Sequence, residues 1–264
     1  MIRSTIFNLL FYAHSFLCAM MVWLVSFSGS RTAMWVVLRY WGVTILVMLR
    51  VILGARVEVR GKEHLKPGTP QLIVSKHQSE LDIVMLGALC WDISAVAMEE
   101  LTRLPFFGRI LRGLDVVLIK VDNGPQGRTQ QVIDGAKRIR AQGRTMVIYP
   151  EGELMKLGAK ERYRSGVGHM YGAMEVEAVP VAVSLGVIWP RRDWRKNPGT
   201  IGAIEFLEPI PPGLPFETFM AEIEDRIETN TMRLIEEHGS GEGLRDARDR
   251  HARGANNERT DTAA

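Results

Sequence analysis

Residues 4–30 carry no charged side chain, and 6–27 are apolar almost throughout, interrupted by Asn8, His14 and a few hydroxyl or small residues. A run of that length can cross a bilayer as a helix. A second apolar segment follows at 33–55, broken by Arg39 and Arg50. An arginine at a bilayer centre costs about 2.5–3.5 kcal/mol on insertion scales, whereas at the interface its guanidinium reaches the headgroups. The pattern therefore predicts a helical hairpin over 1–55, turning at Ser28-Gly29-Ser30 and embedded in one leaflet, with a single span as the alternative. A cleaved secretory signal fits less well. Arg3 is the sole basic residue ahead of the run, 26–28 is a poor cleavage site, and a second apolar segment follows directly.

After Gly54 the period shortens. Runs rich in β-branched residues at 57–59, 72–74, 93–97, 116–119, 146–149, 179–183 and 204–207 read as strands. Between them lie helical patterns. At 129–141, Val132, Ile133, Ala136 and Ile139 form one stripe and Gly143 supplies the stop; at 216–238, Phe219, Met220, Ile223, Ile227, Leu234 and Ile235 share a face. Strands alternating with helices predict an α/β domain over 56–238 with a mostly parallel sheet flanked by helices. Residues 239–264 are polar and poor in apolar side chains, which predicts a disordered tail.

Composition narrows the class. With 46% hydrophobic and 24% charged residues, the chain is neither disordered nor collagen-like, and the confinement of the apolar surplus to the front excludes a polytopic transporter. Two cysteines, Cys18 and Cys90, make no disulfide framework and suit a reducing compartment. The net charge of +3 is uninformative, but Arg191, Arg192, Arg195 and Lys196 cluster around Trp189 and Trp194. That patch suits an anionic membrane surface or an acidic acyl donor, or is a solvated loop; no basic helix, zinc spacing or aromatic sheet motif supports nucleic acid as a partner.

The chemistry concentrates at two strand ends. Where 72–74 stops, the chain reads Ser75-Lys76-His77-Gln78-Ser79-Glu80-Leu81-Asp82. On one helix a five-residue step is about 500°, so His77 and Asp82 would diverge. They meet if His77 lies in a loop and Asp82 in the first helical turn, and Ser79-x-x-Asp82 has the form of a capping box with Ser79 as N-cap. A carboxylate beside an imidazole fixes its tautomer and improves it as a general base. Taken alone, Asp82 could equally be a helix cap and nothing more. After 146–149 comes Pro150-Glu151-Gly152, a carboxylate at the carboxyl end of a parallel strand, where open α/β sheets hold ligands.

In order along the chain stand His77-x4-Asp82, a glycine-led apolar strand ending in a basic residue (113–120), Tyr149-Pro150-Glu151-Gly152, and Val179-Pro180-Val181-Ala182. This series resembles the four-block signature, HX4D motif included, of the glycerolipid (lysophosphatidate-type, PlsC-like) acyltransferase family, over about residues 55–237. The resemblance implies a membrane enzyme of lipid biosynthesis at the cytoplasmic face of a bacterial inner membrane. It implies that His77 takes the proton of a lysolipid hydroxyl, that Asp82 holds His77, and that the hydroxyl attacks the thioester of acyl-CoA or acyl carrier protein. These are co-substrates; no cofactor and no metal is implied. The expected partners are the lipid bilayer, a lysolipid acceptor and the acyl donor. Ser79, Lys120, Glu151, Gly152, Glu153 and Arg164 complete the candidate site as substrate-binding residues.

Two departures bear on the acceptor. The family's second block usually ends in a phosphate-gripping arginine where this chain has Lys120. Its third block usually continues Thr-Arg where this chain has Glu153 and Leu154. A bidentate cation has become a point charge and then an aliphatic side chain, with a carboxylate added. Either Lys156, Lys160, Arg162 or Arg164 takes the phosphate of lysophosphatidate, or the acceptor is a phosphate-free lyso-aminolipid (lyso-ornithine, or a glutamine or sulfur-containing aminolipid) whose cationic headgroup meets Glu153. Two other classes stand further off. A lipid esterase needs Gly-x-Ser-x-Gly, and Ala182-Val183-Ser184-Leu185-Gly186 lacks the first glycine; a non-catalytic membrane scaffold leaves the His77/Asp82 pair unexplained. His169 and Tyr171 are expected to pack behind the third block.

Overall fold

The computed structural model describes residues 1–120, 122 and 124–261. Seven strands, β1 (Arg56–Arg60), β2 (Leu72–Ser75), β3 (Ser94–Met98), β4 (Val117–Ile119), β5 (Met146–Ile148), β6 (Ala178–Val183) and β7 (Ile201–Phe206), form one sheet in the order β1-β7-β6-β2-β5-β3-β4. The five strands from β6 to β4 are parallel; β7 runs antiparallel to β6, and β1 pairs parallel with β7. Each strand overlaps one of the β-branched runs.

The central strands are apolar on both faces because both are covered, as in parallel sheets generally. Ile73, Val147, Val179, Val181 and Val183 point to one core, shared with α3 (Glu80–Leu89) and with the N-terminal helices α1 (Ile2–Val25) and α2 (Arg31–Met48) through Phe7, Ile45, Leu49 and Leu53. Their alternates Leu72, Val74, Met146 and Ala178 point to the other core, under α5 (Gly124–Ala141), α6 (Gly166–Met174) and α7 (Phe216–His238). A short α4 (Phe107–Gly113) precedes β4. Tyr171 of α6 is buried, donating to the Pro211 carbonyl, and His169 packs on Phe216.

The apolar front end is a helical hairpin. Gly29 turns it at φ 70°, and Ser30 caps α2 by accepting from Ala33 N at 3.2 Å. Trp41 Nε1 donates to Ser15 Oγ at 2.9 Å, and His14 meets Thr44 Oγ1 at 2.6 Å, across the two helices. The hairpin is fastened to the domain at both ends. Near its start Asn8 donates to the Trp194 carbonyl (2.7 Å) and Ser4 to that of Lys196 (3.1 Å); at the turn Arg31 pairs with Asp92 (2.9 Å). Between them Gly42 lets α2 approach α3 so closely that a Cβ there would lie 3.2 Å from the Val84 carbonyl oxygen. The outer face stays apolar and exposed, from Ile6, Leu9 and Phe16 to Val36, Val43 and Val47, with Arg39 and Arg50 also exposed.

The segment expected to be a disordered tail is instead a helix, α8 (Gly241–Asp261), which docks on the domain. Ala247 is fully buried against Gly158, where a Cβ would fall 2.2 Å from the Ala247 carbonyl oxygen, and Arg250 donates to the Leu157 carbonyl at 3.0 Å.

Candidate active site

At the end of β2 the chain leaves the sheet through Lys76 and His77 and enters α3 at Ser79. The capping box forms: Ser79 Oγ accepts from Leu81 N (3.1 Å), and Asp82 Oδ2 accepts from Ser79 N (2.9 Å). The same Oδ2 accepts from Gln78 N at 2.7 Å and from His77 Nδ1 at 3.0 Å. One oxygen thus gathers three donors, so the cap and the imidazole partner are the same atom. Burial pushes the fully enclosed Asp82 carboxyl above its ordinary range, against the pull of His77 and the two amides. The His77 ring stacks on Tyr149, centroids 4.0 Å apart, and keeps 14% of its side chain exposed. With Nδ1–H donating to Asp82, Nε2 carries the lone pair, and its ring borders a cavity.

That cavity has a volume of about 1500 Å³. Apolar side chains form most of its wall, from Trp35, Leu38 and Trp41 on α2 and Ile83 and Leu86 on α3 to Val132 on α5 and Met220 on α7. Its polar lining includes Gly152, Glu153, Arg128, Lys160, Arg162 and Arg164. Gly152 has φ 71°, and a Cβ there would lie 2.5 Å from the Arg164 guanidinium carbon, so the glycine makes room for that group. Arg164 Nε donates to the Glu151 carbonyl at 3.1 Å. Arg128, Arg162 and Arg164 have no carboxylate partner among the described residues, while Glu153 pairs with Arg191 at 3.4 Å and Lys160 with Glu224 at 3.3 Å.

The structure therefore brings His77, Asp82, Gly152, Glu153 and Arg164 to one place and leaves three candidates elsewhere. Lys120 directly follows the edge strand β4, exposed, its Nζ 3.8 Å from Glu99 and outside the cavity wall. Ser79 is buried, its Oγ donating to the Trp189 carbonyl at 2.7 Å, and serves as a cap. Glu151 turns inward, because the Pro150-Glu151-Gly152 turn gives the cavity its glycine and its carbonyl rather than its side chain. Its carboxyl lies 3.0 Å from Lys76 Nζ, which also meets Glu228 at 2.5 Å and the Ala159 carbonyl at 2.9 Å; Tyr163 donates to Glu228 at 2.9 Å. Burial raises Glu151 against the pull of Lys76. For Lys76 burial works downward, but the two carboxylates outweigh it and hold the ammonium charged.

Lys76 and Glu228 were not among the candidates. Glu228 had a visible signal, since it interrupts the buried stripe of α7 between Ile227 and Thr231. The basic patch at 189–196 is partly internal: Trp189 packs beneath Phe7 and Phe11, and Lys196 lies over its ring. Among the described residues one group has metal-ligand reach, Glu58, Glu237 and His238, and Arg60 already bridges its two carboxylates.

Residues 56–184 match the profile of the family described as Acyltransferase. The 1-acyl-sn-glycerol-3-phosphate acyltransferase of Pseudomonas aeruginosa is 29% identical over 204 residues, 77% of this chain and 79% of that protein. The human 1-acyl-sn-glycerol-3-phosphate acyltransferase alpha is 29% identical over 141 residues, 53% of this chain and 49% of its own. The chain thus spans about half the length of the mammalian relatives it matches. The crystal structure of the 1-acyl-sn-glycerophosphate acyltransferase PlsC from Thermotoga maritima superposes with a TM-score of 0.72 at 20% identity, covering 88% of this chain and 96% of that one, and so has the same fold. With the ordered blocks, the shared sheet and the matched profile in agreement, residues 56–184 form an acyltransferase-family domain with the PlsC-like fold.

Proposed function

We propose that the protein transfers a fatty acyl group from an acyl-CoA or acyl carrier protein thioester to the free hydroxyl of lysophosphatidate at the cytoplasmic surface of a bacterial inner membrane. The acceptor hydroxyl gives its proton to His77 Nε2 as its oxygen bonds to the thioester carbon. Collapse of the tetrahedral intermediate breaks the C–S bond, and the leaving thiolate takes the proton back from the imidazolium. Asp82 keeps Nδ1 protonated throughout and steadies the transient cation. A thioester is activated enough that alignment and proton removal suffice, so the scheme asks for no metal or cofactor.

The observation that carries the choice of acceptor is Arg164. Its guanidinium lies over Gly152 in the cavity His77 borders and has no carboxylate partner among the described residues, while the nearby carboxylate Glu153 is engaged by Arg191. A bidentate cation left open beside the base suits a phosphate oxygen pair. The named activities of the relatives agree with this acceptor. The hairpin, fastened at both ends with its apolar face outward, supports a monotopic seat in one leaflet over a single span.

Purified protein offered lysophosphatidate and lyso-ornithine with the same thioester should acylate the first. Arg164→Ala should raise KM for lysophosphatidate by roughly ten-fold or more, as expected for loss of a charge-assisted pair, with little change in kcat. Preferred turnover of lyso-ornithine would overturn the reading.

A further inference from the structure

We propose that residues 101–107 form a second lipid-contacting element, a lip that enters the bilayer beside the hairpin and opens the cavity sideways to an acceptor already in the membrane. Leu104, Phe106 and Phe107 expose 49, 43 and 47% of their surface, an adjacent apolar group that water disfavours. The group adjoins the hairpin. The Phe106 ring meets that of Trp23 edge-on at 5.1 Å, and the Arg109 guanidinium lies 3.8 Å from the centre of the Phe27 ring. The lip thus carries on the hairpin's apolar face at its turn.

The backbone holds this display in place. Phe106 sits at φ 69°, a region that costs an L-residue about 1–2 kcal/mol and persists where the surroundings over-determine it. Gly108 supplies that constraint: a Cβ there would lie 2.3 Å from the Thr102 carbonyl oxygen, so the loop closes tightly behind the two phenylalanines. Around it Arg103 and Arg112 are exposed with no carboxylate partner among the described residues. Aromatic and aliphatic side chains rimmed by arginine match the boundary between acyl chains and anionic headgroups.

The cavity reaches the surface at the same place. Met98, just ahead of the lip, and Leu101, its first residue, line the cavity together with Leu38 of α2 and Ile83 of α3, and Met98 and Ile83 are each about half exposed. An acyl chain lying between hairpin and lip would touch apolar side chains along its path to His77, with no step through water.

Two measurements test this. Cys18 and Cys90 are buried, and burial pushes the Cys90 thiol up to about 12, so Phe107→Cys takes an environment-sensitive fluorophore selectively. On phosphatidylethanolamine–phosphatidylglycerol vesicles the label should shift to the blue and be quenched by brominated acyl chains. Full-length Leu104→Glu/Phe107→Glu should still float with vesicles through the hairpin. Its kcat/KM should fall roughly ten-fold or more for vesicle-borne lysophosphatidate and less than about two-fold for a short-chain form dissolved as monomers. An unquenched label, an equal loss on both substrate forms, or a shift produced by concentrating the protein without vesicles, the mark of a second copy on this face, would each overturn the lip. The kinetic arm rests on the lysophosphatidate reading. A wild-type enzyme inert on both forms counts against that reading alone, and the quenching then decides the lip.

Discussion

Lys76 and His77 are adjacent in the chain and each meets a buried carboxylate, yet the two pairs differ in what surrounds them. Lys76 is fully enclosed, one ammonium between Glu151 and Glu228, with Tyr163 and the Ala159 carbonyl closing the shell. His77 has one enclosed side, toward Asp82, and one side open on the cavity. A cation sealed among carboxylates holds three parts of the chain together and moves no proton. A base with one nitrogen fixed and the other facing substrate does the reverse. The difference teaches that a buried ion pair is evidence of chemistry only when one member keeps an open face.

Four substitutions sharpen the contrast, from the largest effect down. His77→Ala should lower kcat by about 10³–10⁴-fold with Tm nearly unchanged, since the ring is at the cavity edge; release of free thiol from the donor reads the rate. Asp82→Asn should lower kcat by about 10²–10³-fold through the wrong tautomer. Its stability should run the other way. The folded state raises the Asp82 pKa, so the favourable contribution is complete below the ordinary carboxylate range and is lost as pH rises through the raised value. The Asn variant should therefore match or exceed the parent's Tm at pH 8 and gain nothing at pH 4.

Lys76→Met leaves two carboxylates buried without their cation and should cost about 3–5 kcal/mol, seen as a fall in Tm. Burial already raises Glu151, so that loss should deepen as pH rises. Glu228→Gln keeps the Lys76–Glu151 pair and an acceptor for Tyr163 while removing the surplus charge. Its effect should stay within about 1 kcal/mol, the smallest of the four. If Lys76→Met instead left Tm alone and abolished transfer, the contrast between sealed and open pairs would fail.

Much of this was readable in the sequence, for identifiable reasons. Central strands covered on both faces need continuous apolar runs, so β2 and β6 stood out at 72–74 and 179–183, while the edge strand β1 showed in the alternation of Val57 and Val59 with charged residues. The His77/Asp82 geometry followed from a cap motif that is local in sequence. What escaped depends on contacts between distant segments. α8 carries its docking on Ala247 and on the glycine it faces, which no periodicity reports. Lys120 was judged by its place at a strand end, but β4 is the outermost strand and points it to solvent. Glu151 sits at the right strand end too, but its buried carboxyl faces Lys76, 75 residues earlier in the chain. Part of the tryptophan–arginine patch at 189–196 proved to be the seat of α1.

That seat has a consequence for how the enzyme can exist at all. Phe7, Ile45, Leu49 and Leu53 belong to the same core as Ile73 and Val181, so the hairpin is a keel built into the hull rather than a mooring line. Proteolysis after Gly54 would strip the sheet of one wall and α3 of its neighbour, releasing an unstable fragment in place of a cytosolic catalyst. A water-soluble version would have to be made by repainting the outward side chains of the two helices, leaving their inward ones untouched.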